Sequence, residues 1–351
     1  MTSSTASQRG NPRVCVGIVN WNTRELLTQC LDSLMPDCEA GVVEVVVVDN
    51  SSSDGSADHV AAAYPAVRLI RNPQNAGFTR AVNQAFDAAD AEYFLMLNSD
   101  ARVTPGAIRH CIEYLDVQGD VAAVGCRITY PDGRPQSSCF RFPSPWGVVL
   151  TTAWLSQAFP DSAVLNWGRY GRRDWEAPRD VDCVMGSFLL LRRTAIGGPV
   201  LLDEGFWMYG EEADLCFRLQ RAGWRVVYLP DAGIVHHHGA STRDAERAAW
   251  GYAARQRAIL RFIRKWRGDV AGWLANLVMA LGMLPRAAGW WLADAASRFR
   301  AGKHSGRHLR ARVLGFHLAA CVRPSRLETS WEPAGVRLAS PREASHIIAR
   351  T

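Results

Sequence analysis

No Cys-x-x-Cys pair occurs in the 351 residues, although nine cysteines are present. Their scatter and odd number argue against a disulfide framework or a zinc site and fit a reducing compartment. The opening stretch, MTSSTASQRGNPR, lacks the apolar segment of a secretory signal. No run reaches the roughly 18 uncharged apolar residues expected of a spanning helix. No internal repeat is visible. What is present is apolar material, 48% of the chain. That is enough to bury a full core, as two domains or as one α/β domain with an appendage.

Net charge is +6, unevenly spread. Residues 1–242 hold 20 Lys+Arg against 27 Asp+Glu, whereas residues 243–351 hold 20 against 7. A basic C-terminal part on an acidic body points to an anionic surface partner, membrane or nucleic acid.

The first half alternates strand and helix signals. VCVGIVN (14–20), VEVVVVDN (43–50), VRLIRN (67–72) and the start of EYFLMLNSDARV (92–103) read as strands of a covered parallel sheet. TRELLTQCLDSLM (23–35, with Thr23 as a plausible N-cap), SADHVAAAY (56–64) and TRAVNQAFDAA (79–89) have helical spacing. Repeated β-α-β units give a doubly wound sheet whose ligands sit at the C-terminal strand ends. Polar residues gather at those ends: Asn20 and Asn22; Asp49, Asn50 and Ser52; Asn72 and Asn75; Asn98, Ser99 and Asp100. Each cluster alone fits ordinary turn chemistry. Four on one edge fit a ligand rim better.

Residues 119–182 read as loosely structured insertion or acceptor-side loops. VDCVMGSFLLLRRTAI (181–196) returns to strand, DLCFRLQRAGW (214–224) is helical and RVVYLP (225–230) is a strand. Beyond residue 245 the character changes. Residues 248–266 are amphipathic and basic, and VAGWLANLVMALGMLP (270–285) carries no charge. Trp and Arg at the margins of an apolar face suit a helix lying in a membrane interface. A helical hairpin packed on the body is the alternative. The apolar, Trp-rich character argues against nucleic acid. Residues 326–351 read as poorly ordered.

The stretch WMYGEEADLCFRL (207–219) gathers Glu211, Glu212 and Asp214 between an aromatic run and an apolar helix. A helix N-terminus favours such charges through its dipole. A general base needs a carboxylate in the same kind of place.

The order IVNWNT, VVVVDNSSSDGS, RNPQNAGFTRAVNQA, FLMLNSDARV, VMGSFLLLRR, FWMYGEEADLCFRL, IVHHHGAST resembles a family 2 glycosyltransferase of GT-A fold. It is closest to the bacterial rhamnosyltransferase-like branch that builds cell-surface polysaccharide. The resemblance covers residues 13 to about 265. It implies a Rossmann-like, mostly parallel sheet flanked by helices over 13–245. The composition adds a basic, membrane-associating helical extension over 246–325 and a disordered N-terminus over 1–12.

The resemblance also implies roles. Asn20 and Asn22 lie near the nucleotide, and Asp49 meets base or ribose with Asn50 and Ser52 beside it. Arg80 meets base or diphosphate from a loop shaped by Asn75 and Gly77. Asn98, Ser99 and Asp100 take the DxD position, with Asp100 as the carboxylate ligand of Mg²⁺ or Mn²⁺. Asn98 replaces the first Asp, which puts strict metal dependence in doubt. His236 is a metal or diphosphate ligand, while His238 stands where relatives have Gly. Gly186 and Ser187 face the donor sugar. Trp207, Met208 and Tyr209 cover the acceptor or belong to the core. Glu212 is the base where relatives have Asp, Glu211 is the reserve, and Asp214 is a helix-start residue.

The implied activity is inverting transfer of a sugar, most simply L-rhamnose from dTDP-L-rhamnose, to a lipid-linked or cell-surface glycan. The implied place is the cytoplasmic face of the plasma membrane, held peripherally by anionic lipid. A non-catalytic nucleotide-sugar-binding protein on a degenerate fold is the rival reading.

Overall fold

The computed structural model describes residues 12–301 apart from 89, 163, 169, 171–175, 198–199 and 238–244, together with 315, 317 and 318. The expectations for the N-terminal arm, the tail over 326–351 and His238 lie outside the described residues, save residue 12.

Three β-α steps and a fourth strand open the fold. They are β1 (Val14–Asn20), α1 (Arg24–Glu39), β2 (Val43–Asp49), α2 (Ser56–Ala63), β3 (Arg68–Arg71), α3 (Phe78–Asp87) and β4 (Tyr93–Asn98). Strands β1 to β4 pair in parallel in the order β3-β2-β1-β4. Successive side chains of a strand face opposite sides. Val14, Val16 and Ile18 of β1, with Val45 and Val47 of β2, therefore pack under α1 against Leu27, Leu31 and Leu34. Cys15 of β1, with Val46 and Val48 of β2, faces the other side, where Val82, Ala85 and Phe86 of α3 cover them. A sheet covered on both faces must be apolar on both.

The sheet then becomes mixed. β5 (Ala101–Val103) and α4 (Ala107–Val117) lead to β6 (Val121–Thr129) and the short β7 (Pro135–Gln136) and β8 (Cys139–Phe140). Next come α5 (Pro145–Thr152), α6 (Leu155–Ala158), β9 (Arg179–Asp180), β10 (Cys183–Val184) and β11 (Phe188–Arg192). Then follow α7 (Glu211–Arg221) and β12 (Arg225–His236). The full order is β3-β2-β1-β4-β11-β6-β12-β5, with β11 antiparallel to both neighbours and β12 parallel to β6. This mostly parallel, helix-flanked sheet is the GT-A-like architecture.

Three expectations change. β6 is a buried nine-residue strand beside β11, inside the stretch read as loose. Its VAAVGC core is poor in bulky β-formers, so its pattern is weak. Thr23 stands at the N-cap of α1 but makes no capping bond. Its hydroxyl donates instead to Asn20 Oδ1 (2.7 Å), while Asp54 accepts from the Arg24 amide at 2.9 Å. The chain also contains a helix of spanning length. In α9 (Asp269–Ala301), within residues 269–297, an 18-residue stretch reaches mean hydropathy 1.3, although the uncharged run itself, 270–285, stays shorter than 18.

α8 (Ala245–Arg267) packs on the body, with Phe262 joining Phe142, Phe217 and Trp266 in one aromatic cluster. Fully buried Asp214 ties α7 to this helix. It accepts from Trp266 Nε1 (2.9 Å) and Lys265 Nζ (2.7 Å), and from Arg218 Nε (3.1 Å) one turn along. Asp214 begins α7 as the sequence suggested, and it also anchors two helices. α9 runs back along α8 and against α5. It buries Ala275, Asn276, Met279, Ala280, Met283 and Ala287. Its opposite side exposes Leu274, Leu281, Leu284, Trp291 and Leu292.

Candidate active site

The strand-end residues form two layers. Below lies a buried network at the ends of β1 and β2. Asn20 Nδ2 donates to Asp49 Oδ1 (2.9 Å) and Ser52 Oγ (3.1 Å), and the Ser52 amide donates to Asp49 Oδ2 (2.9 Å). The Thr23 hydroxyl lies 2.9 Å from Ser99 Oγ, which links the network to the end of β4. Asn22 takes the left-handed conformation (φ 54°) and its Oδ1 accepts from the Ser53 amide at 2.7 Å. Ser51 beside it is also left-handed. Asp49 is thus buried and bonded within the protein. Arg80, half-exposed on α3, forms no ion pair or hydrogen bond among the described residues.

The next loop is fixed to the acceptor side. Asn50 Nδ2 donates to the Gly77 carbonyl (3.1 Å), and Asn75 Oδ1 accepts from the Gly77 amide (3.0 Å). Gly77 has φ 88°, and a Cβ there would lie 2.7 Å from the Trp207 ring. Only glycine permits both the turn and the ring. The Phe78 amide donates to the Trp207 carbonyl at 3.1 Å. Trp207 therefore packs beneath the donor loop, and Tyr209 reaches the cavity described next.

Above this layer opens a cavity of about 520 Å³, lined among others by Asn98, Gly186, Ser187, Tyr209, Glu211, Glu212 and His236. At one end His236 meets Asp100, with Nε2 3.1 Å from Oδ1 and 3.3 Å from Asn98 Nδ2. Gln136 orients the ring. Its Nε2 donates to the His236 carbonyl (2.9 Å), so its Oε1 faces His236 Nδ1 at 2.9 Å and that nitrogen carries the proton. Nε2 then presents a lone pair toward a carboxylate oxygen. Asn98 Nδ2 can donate to that lone pair, and the imidazole and the carboxylate together offer one nitrogen and one oxygen to a cation. The pair fits a divalent ion, with an amide fixing the imidazole from behind. Among the described residues no cluster of three His, Cys, Asp or Glu exists, so remaining ligands would be diphosphate and water, as Mg²⁺ and Mn²⁺ accept. Gln136 has no sequence signal. It arrives through β7, which pairs with β6.

At the other end stand Glu211 and Glu212. Tyr209 and Gly210 are both left-handed (φ 70° and 80°), an uncommon state for tyrosine, and turn the chain so that α7 starts facing the cavity. Gly186 lies beside it, where a Cβ would be in ordinary contact with Glu212 Cβ at 3.7 Å but would crowd Met96 Cε at 2.8 Å. Burial raises both glutamates above the ordinary range, Glu211 furthest, with the Glu212 charge adding to the rise. The proton affinities of the two carboxyls depend on each other, and Glu211 holds its proton the more firmly. No donor from other described residues reaches Oε2 of either. Arg255 of α8 opposes the rise at Glu212 and lies over the Tyr209 ring at 5.1 Å. A raised carboxylate with an open oxygen is suited to take a proton.

Comparisons with known proteins bear on the family and the fold. Residues 15–196 match the family described as Glycosyl transferase family 2. The N-acetylglucosaminyl-diphospho-decaprenol L-rhamnosyltransferase of Mycobacterium tuberculosis is 32% identical over 217 residues, 57% of this chain and 68% of the relative. An O-antigen biosynthesis protein of Myxococcus xanthus is 26% identical over 67% of this chain and 18% of its own length. A mannosyltransferase from Pyrobaculum calidifontis, solved with GDP-Man and Mn²⁺, superposes with a TM-score of 0.52 at 17% identity, covering 90% of this chain and 88% of that one. This last likeness is one of fold.

The glutamate pair makes stability depend on pH. Folded Glu211 keeps its proton above 4.5, where the unfolded chain releases it, so folding takes up a proton and stability falls as pH rises toward the folded value. Glu211→Gln should match the parent at pH 4 and exceed it at pH 8 by about 1 kcal/mol or more in urea unfolding. An equal stability gap at both pH values would contradict the pairing.

Proposed function

The chain belongs to glycosyl transferase family 2, and we propose that it is an inverting rhamnosyltransferase acting on a lipid-linked glycan. The observation that carries the reading is the placement of Glu212 in one cavity with Asn98 and the Asp100–His236 pair. The nucleotide diphosphate is held at the strand ends around Asp49, Asn50 and Arg80, with the sugar over Gly186. Glu212 accepts the acceptor hydroxyl proton as that oxygen bonds to the anomeric carbon. The carbon–diphosphate oxygen bond breaks on the opposite face, and the bonding pair leaves with the diphosphate. A divalent cation held by Asp100 and His236 would supply charge neutralisation to that leaving group. The mycobacterial relative supports the sugar and the lipid-diphosphate acceptor by its name. The archaeal neighbour's Mn²⁺ supports the metal.

The same reading places the enzyme peripherally on the cytoplasmic face of the membrane. α9 is apolar on both sides, and its outward side exposes Leu274, Leu281, Leu284 and Leu292. Its inner face packs against α5 and α8, so a lying helix suits it better than a spanning one. The basic balance of residues 243–351 adds attraction to anionic lipid.

Two measurements test this reading. dTDP with Mn²⁺ should raise the melting temperature of the wild type and leave Asp100→Ala unmoved by the metal. Equal metal dependence in both would contradict the site. The full chain should sediment with phosphatidylglycerol vesicles in low salt and release as salt rises. Indifference to lipid charge would refute the docking.

A further inference from the structure

The cavity does not stop at the glutamates. Its far wall is built by α5, α8 and α9, through Val148, Ile259, Met279 and Met283. These segments carry no catalytic motif, and the matched family region ends at residue 196, before α8 and α9. Two arginines, Arg255 and Arg286, line the same wall. Tyr252, one turn before Arg255, bonds Met283 Sδ at 3.3 Å, and Arg286 lies one turn beyond Met283. The two guanidinium groups therefore bracket one level of the apolar wall.

Neither arginine forms an ion pair among the described residues. Arg255 is spent on the Tyr209 ring and faces the Glu212 charge, and Arg286 donates through Nη2 to the Thr151 carbonyl (2.8 Å) over the Trp154 ring. A guanidinium has five N–H donors, so most of theirs remain for a ligand. Charge of this kind beside methionines suits an anion carried on an apolar chain. On the outside, α5 and α9 expose Trp146, Leu281 and Leu284, and Trp154 just after α5 is exposed as well. The helices that build the wall thus also carry apolar side chains toward the exterior.

We propose that this wall is a subsite for an isoprenoid-like lipid diphosphate, Arg255 and Arg286 meeting the diphosphate and Met279 and Met283 the first apolar units. The proposal rests on the glycosyltransferase reading only for calling that lipid the acceptor's carrier. The subsite would explain why α8 and α9 are built onto the catalytic sheet.

The test titrates the full chain with farnesyl diphosphate, farnesol and inorganic pyrophosphate, with saturating dTDP and Mn²⁺ occupying the donor pocket. Melting temperature is the readout. Farnesyl diphosphate should stabilise the protein with an apparent affinity about tenfold or more above that of the other two. The double variant Arg255→Ala/Arg286→Ala should weaken it by about tenfold, as expected for lost charge-assisted bonds. Met283→Trp, which fills the wall, should weaken it while leaving the dTDP response intact. Pyrophosphate binding as well as farnesyl diphosphate, displacement by dTDP, or unchanged affinity in both variants would each overturn the subsite. A chain that ignores dTDP yet binds farnesyl diphosphate through the arginines would keep the subsite and remove the transferase reading.

Discussion

The carboxylate of Asp214 is the contact on which the rest depends. It has no exposure to water, and a charge so placed is tolerated only when paired and hydrogen-bonded. Lys265, Trp266 and Arg218 meet that need, and two of the three come from α8. The pairing locks the first turn of α7 to α8. That turn carries the glutamates, and α8 carries Arg255 and one side of the cavity. One buried charge thereby sets both the direction of Glu211 and Glu212 and the wall facing them.

The donor and acceptor sides are joined in a second place. Trp207 rests on Gly77, and Asn83 of α3 exchanges bonds with the Leu202 amide (2.9 Å) and carbonyl (3.0 Å). The loop that shapes the nucleotide site thus cannot shift without the segment leading to Glu211 and Glu212. Tight positioning of this sort is what converts binding energy into rate, because reacting groups must meet within a few tenths of an ångström.

Much of this was legible in the chain. Continuous apolar runs ending in Asn, Asp or Ser marked β1, β2 and β4, because strands covered on both faces announce themselves. Ordered motifs then placed Asp100, Glu212 and His236. Other parts were silent for physical reasons. β6 is made of small residues whose burial comes from neighbours far along the chain. Gln136 serves His236 from a two-residue strand that exists only through pairing with β6. Thr23 looked like a cap, yet a stronger partner, Asn20, claimed its hydroxyl. Arg255 and Arg286 read as part of a basic helical region until the fold set them in the wall of the cavity.

The central claim is that Glu212 removes the acceptor proton. The most direct measurement is single-turnover transfer by Glu212→Gln with the donor affinity measured alongside. The account predicts a rate lower by about three orders of magnitude, in the range of a lost general base, with donor binding unchanged. Transfer near the parent rate, or a loss explained wholly by weaker donor binding, would contradict it.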